Sequence, residues 1–151
     1  MLFKQIILLF TLVLLNSCIS TKNTIKNIDD TIPGPSLNEV YNSFVITKKA
    51  TNKKYAYNEN YPVNVGFTTL EDGLNNQLRF LNALAGPKGE KITFALIDTC
   101  CPFPTKRSDM GAGMLDIFEI KYEGQTKPIL LYINKYERGE IMIPTGLTAR
   151  K

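Results

Sequence analysis

One amphipathic period constrains this chain more than any other feature. In "DGLNNQLRFLNALAGP" (Asp72–Pro87), Leu74, Leu78, Leu81 and Ala85 recur at helical spacing, and Phe80 and Leu84 widen the stripe. Asn75, Asn76, Arg79 and Asn82 take the other face. Asp72 can accept from the first unpaired amides, and Gly86-Pro87 stops the run. The rest of the chain alternates at strand spacing in patches. A single helix cannot enclose a core, so it must lie across a sheet.

The sheet is legible downstream. "KITFALIDTCC" (91–101) reads as one strand, while "MLDIFEIKYEG" (114–124) and "KPILLYINKYERGE" (127–140) read as a hairpin pair, with "IMIP" (141–144) as a last short strand. Period two places Phe118, Ile120 and Tyr122 on one face and Leu115 and Ile117 on the other. The partner divides into Ile129, Leu131 and Ile133 against Leu130 and Tyr132. Both faces are partly apolar, so this pair sits centrally with cover on each side. Upstream, Phe44–Ile46, Tyr55 with Tyr57, and Val63 with Val65 predict short strands, Pro62 keeping the last at an edge or a strand start. The expected fold is α+β: a small antiparallel sheet of four to six strands with one amphipathic helix packed across it. At 151 residues it fits one domain.

The N-terminus carries a separate signal. After Lys4, the chain runs apolar from Ile6 to Leu15, broken only by Thr11. That is short of the roughly 20 residues of a spanning helix but suits a signal-peptide core. Leu15-Asn16-Ser17-Cys18 then resembles the lipobox of bacterial lipoproteins. The resemblance implies cleavage after residue 17, a diacylglyceryl group on the Cys18 thiol, and a further acyl chain such as palmitate on the new amine. It also implies a bacterial cell-envelope location, most simply the outer membrane, since residue 19 is Ile rather than Asp. Two or three acyl chains on one residue hold a protein to a membrane without a transmembrane helix. Residues 18–42, rich in Ser, Thr, Asn and Lys with Pro-Gly-Pro at 33–35, read as the lipidated cysteine and a flexible tether, and 43–151 as the single folded domain.

Several chemistries fall away. With no histidine, Ser-His-Asp and Cys-His machinery is excluded. The net charge of +4 comes from scattered lysines and arginines, without the dense footprint of a nucleic-acid binder. Asp116 and Glu119 lie three apart on a strand and face opposite ways, whereas Glu119 and Lys121 share a face and form a surface pair. "MGAGML" (110–115) reads as a turn or bulge. No catalytic residue, metal ligand set or cofactor is assigned.

Cys100 and Cys101 stay open among three readings. They are small residues ending a strand, or a vicinal disulfide fixing the "CCPFP" loop in an oxidising compartment, or a thiol site for redox, soft-metal or intermolecular chemistry. Two thiols without histidine fall short of the usual four zinc ligands.

Taken together, "YNENYPVNVG" (57–66), "RFLNALAGPKGEKI" (79–92), "CCPF" (100–103), "GMLDIFEI" (113–120) and "YINKYERGE" (132–140) resemble a group of short lipoproteins from Bacteroidota. Some of that group carry the name 2-dehydro-3-deoxyphosphooctonate aldolase. The aldolase family implies a (β/α)₈ barrel of about 250 residues, and no motif here matches it, so no catalytic residue carries over. The lipoprotein group itself brings no active site, and the expected function is a lipid-anchored, non-enzymatic binding or structural module that contacts the membrane through its anchor and an envelope protein or surface component through its body. The alternatives are a thiol-dependent module using Cys100-Cys101 and, third, the aldolase activity.

Overall fold

The computed structural model describes residues 22–67 and 70–151. The expected signal peptide, residues 1–17, and the expected lipidation site Cys18 lie outside the described residues. In chain order the elements are β1 (Leu37–Asn38), β2 (Ser43–Phe44), β3 (Val63–Asn64), α1 (Leu70–Asn82), β4 (Leu84–Ala85), β5 (Ile92–Pro104), β6 (Ala112–Tyr122), β7 (Ile129–Asn134) and β8 (Thr148–Ala149). The main sheet runs β3-β7-β6-β5, with β5, β6 and β7 an antiparallel meander. The expected α+β architecture is present. Within it, β3 joins parallel to β7 through Val63–Ile133 and Asn64–Asn134. The run 141–144 contributes only an isolated bridge, Lys49 to Ile143, and residues 55–57 form turns.

β6 and β7 are the inner strands of the meander, as their two-sided apolar pattern requires. On one face, Phe118, Ile120, Leu131 and Ile133 pack with Phe80, Leu81 and Leu84 in the main core. Expected and observed helix differ in two respects. α1 ends at Asn82 instead of Gly86, because Leu84 and Ala85 leave it to pair with β8. Its buried face is also turned by about one position: Asn76 and Gln77 point inward, while Leu74 and Leu78 are 48% and 44% exposed.

Hydrogen bonding explains the turn. Gln77 Nε2 donates to Asp116 Oδ2 at 2.7 Å, Lys135 Nζ donates to the same oxygen at 2.8 Å, and Thr99 Oγ1 reaches Oδ1 at 3.3 Å. Asn76 Nδ2 donates to the Val65 carbonyl at 3.0 Å. Inward polar groups are tolerable only when so paired. Gly73 lets the helix approach, since a β-carbon there would sit 2.4 Å from the Lys135 carbonyl oxygen.

The other sheet face is covered by a segment read from sequence as tether. From Lys22 onward that expectation is corrected. Ile25 is buried with Phe103 and Leu115, and Ile28, Tyr132 and Tyr136 pack around them. The backbone is tied down as well: Lys26 N donates to Asn60 O at 2.9 Å and Asp29 N to Arg138 O at 2.8 Å. Buried Asn64 donates to the Lys26 and Asn27 carbonyls at 3.1 Å each, and Asn134 in turn donates to Asn64 Oδ1 at 3.1 Å. Arg107 pairs with Asp30, and Arg138 donates to the Asp30 carbonyl at 3.3 Å. A β-carbon on Gly139 would fall 2.2 Å from Asn27 O, so the strap lies directly on backbone. Polar composition reads as tether; Ile25, Ile28 and these carbonyl acceptors make it a layer.

Two predictions follow from this packing. Asp116→Ala strands the Gln77 amide and the Lys135 ammonium, so chemical denaturation should show a loss of about 3 kcal/mol. Alkali should also destabilise the fold. Burial, with a smaller contribution from Glu140, pushes the Tyr55 hydroxyl far above the tyrosine range despite the Met142 amide. Tyr57 is pushed up to about 12, by burial first and Tyr122 second. Unfolded tyrosine ionises near 10, so below that pH both states keep the proton and stability is flat. Above it the unfolded state alone loses protons, and stability falls, by up to about 1.4 kcal/mol per pH unit for the fully buried Tyr55. Part-exposed Tyr57 adds less. Melting temperatures between pH 8 and 11.5, flat and then declining, would show this.

Candidate functional site

β5 is an edge strand, and its two ends carry the two regions with chemical character. The strand does not keep one register. Leu96 faces Phe118 but Asp98 faces Ile117, and Cys100 faces Leu115 while Phe103 faces Gly113. Each step inserts one extra residue, a β-bulge. The first bulge turns Thr99 to the Asp116 side. The second is made by Cys101, whose φ of +59° is a left-handed conformation that L side chains adopt at a cost of about 1–2 kcal/mol.

Cys100 and Cys101 are joined to one another by a disulfide, with α-carbons 3.7 Å apart. Cys101 packs against the Ile25–Phe103–Leu115 cluster, so the bond sits where the strap meets the sheet. Its Sγ lies 3.2 Å from Glu59 Oε2. A disulfide sulfur has no hydrogen to give, so in this form the approach is a contact; reduction converts it into a thiol-to-carboxylate hydrogen bond. A carboxylate partner holds a thiol protonated and slows its attack on other groups. A cavity of about 230 Å³ beside the bond is lined by Lys22, Thr24, Glu59, Asn60, Cys101 and Pro102. Among the described residues, no group of three or more His, Cys, Asp or Glu converges to hold a metal.

At the other end of β5 a groove of about 390 Å³ opens between the end of α1, β4 and the 86–91 turn. Leu84, Ile92 and Phe94 supply apolar surface; Lys88, Lys91 and Arg150 stand around it. The Arg150 guanidinium lies 4.1 Å from the Tyr41 ring centre, a cation–π contact that holds it at the rim. Glu90, the nearest carboxylate in sequence, accepts from the Lys88 amide at 2.8 Å and so caps the turn. Among the described residues no carboxylate pairs with Lys88, Lys91 or Arg150.

Of the sequence-assigned positions, Asp116 and Glu119 are indeed apart, and Lys121 Nζ meets Glu119 Oε1 at 2.5 Å on the surface. The 110–115 stretch turns at Gly111 with φ +69°. The groove was missed because Lys88 and Lys91 lie far in sequence from Arg150, and only β4–β8 pairing brings them to one end of the fold.

Comparison with family models, with curated proteins and with solved structures gives no match.

Alkylation checks the state of the pair. Denatured, unreduced protein should leave Cys100 and Cys101 unmodified by iodoacetamide in the intact mass, and reduction should add two adducts. Labelling of both without reductant would show free thiols.

Proposed function

We propose that this chain is a lipid-anchored lipoprotein of the bacterial cell envelope, most simply of the outer membrane, whose α+β body is a non-enzymatic binding module. The Leu15-Asn16-Ser17-Cys18 pattern behind an apolar run supports the anchor. A bonded Cys100–Cys101 pair suits an oxidising compartment outside the cytoplasm. The observation that carries the binding role is the groove at the β4–β8 end. Lys88, Lys91 and Arg150, which have no carboxylate partner among the described residues, stand with Lys151 around an apolar floor there, an arrangement that fits a ligand with a phosphate or carboxylate on an apolar or ring-shaped body.

The thiol reading keeps one supporting observation, the exposed approach of Cys101 to Glu59. It is the weaker of the two, because both sulfurs are consumed in the bond and a reduced thiol would face a carboxylate. The (β/α)₈ barrel that the aldolase name implies is not the architecture seen, which has one described helix on a four-stranded sheet.

One series tests the proposal. Cys18→Ser should move the protein from the membrane fraction to the soluble fraction, and unchanged partitioning would defeat the anchor. The soluble form should bind phosphocellulose and elute at clearly lower salt once Lys88→Glu and Lys91→Glu are introduced together. Equal elution would remove the groove from the account.

A further inference from the structure

We propose that the end of the body bearing the Cys100–Cys101 disulfide and the β5–β6 turn lies against the lipid bilayer, with Met110 at headgroup level. This deepens the reading above and rests on acylation of Cys18.

The first argument is covalent reach. Lys22 follows Cys18 by four residues, and four residues span at most about 14 Å when fully extended. Lys22 is not free to drift from the body. It lines the cavity beside Cys101 and Pro102, and Asn23 lines a second cavity of about 490 Å³ with Lys106, Arg107 and Gly111. Three residues later Ile25, part of the strap itself, is buried against Phe103 and Leu115, so peeling the segment away would expose that cluster. Whatever path residues 19–21 take, the acyl-bearing residue stays within that radius of this end.

The second argument is independent of the anchor. The turn from Lys106 to Gly111 is held by Thr105 N to Gly111 O at 3.1 Å, Gly111 N to Ser108 O at 2.9 Å and Arg107 N to Thr105 Oγ1 at 3.1 Å. At its tip Met110 is 91% exposed, a large apolar side chain held out in water. At the start of the same turn, Lys106 can lay its stem along lipid and keep its ammonium among the headgroups. Inserting one such side chain into the interface is favourable but weak, so it orients a body that the acyl chains already hold.

Charge does not drive this contact. Lys22, Lys26, Lys106 and Arg107 are matched at this end by Asp30, Glu59, Asp109 and Glu137, of which Asp30 and Glu137 pair directly with Arg107. A polybasic attachment would need an excess of cations. The groove, by contrast, lies nine residues along β5 from Cys101, roughly 30 Å at strand rise, and so faces away from the bilayer.

The test uses the intact acylated protein in phosphatidylcholine vesicles that contain nitroxide-labelled lipid. A fluorophore is placed at Met110→Cys in one variant and at Lys88→Cys in another, with the native disulfide kept oxidised. Quenching at position 110 should exceed that at 88 several-fold, and adding phosphatidylglycerol should leave the ratio unchanged. Equal quenching, or stronger quenching at 88, in protein whose mass shows the Cys18 acyl chains overturns the orientation and leaves the anchor standing. A mass without those chains overturns both. In the unsubstituted protein, amide exchange at Met110 and Gly111 should slow several-fold on vesicles, and unchanged exchange counts against the contact.

Discussion

A sheet that is apolar on both faces cannot stop at two layers. Leu115 and Ile117 face one way from β6, and Phe118 and Ile120 the other; each set needs cover. The helix can supply only one. The second comes from residues 25–30, pinned by Ile25 in its pocket and by the Lys26, Asn27 and Asp30 carbonyls, which accept from Asn64 and Arg138. On the proposed acylation of Cys18, the same strap would set how near the body sits to the membrane. A segment whose composition suggests a spacer is a packed layer of the fold.

Polar groups, more than apolar ones, set how the layers meet. Rotating α1 so that Leu74 and Leu78 faced inward would satisfy the hydrophobic stripe but take Gln77 from Asp116 and Asn76 from Val65. Asp116 is almost wholly buried, and taking one of its three partners from it, while burying the Gln77 and Asn76 amides elsewhere unpaired, costs more than leaving two leucines half exposed. The Asn64–Asn134 pair does the same between β3, β7 and the strap. On β5, Leu96 and Ile97 are half exposed at a sheet edge, a surface that invites another strand. Two bulges interrupt that edge, and the Cys100–Cys101 bond holds the second in place.

The meander and its central hairpin were readable because period two survives from Leu115 to Ile133 with one turn between. The presence of a single helix was readable for the same kind of reason. Its facing was not, because hydrophobicity alone cannot show that Asn76 and Gln77 have partners waiting. Parity along β5 failed at two extra residues that no side-chain pattern announces, apart from the cysteine pair itself. The strap was hidden by composition: its fixing acceptors are backbone carbonyls, which every sequence has. The groove was hidden by distance along the chain, since Lys88 and Arg150 meet only after β8 pairs with β4. What sequence alone carried about function is the pattern ending at Cys18, and it is a pattern of the chain rather than of the fold.

The account turns on the strap being part of the folded body, and native-state hydrogen exchange measures that most directly. The Lys26 and Asp29 amides, bonded to Asn60 and Arg138, should be protected on the scale of Val65, whose amide is bonded to Asn134 in the core. Exchange of both at the rate of an unstructured peptide, with Val65 still protected, would show a free tether and contradict both the packed strap and the membrane orientation proposed from it.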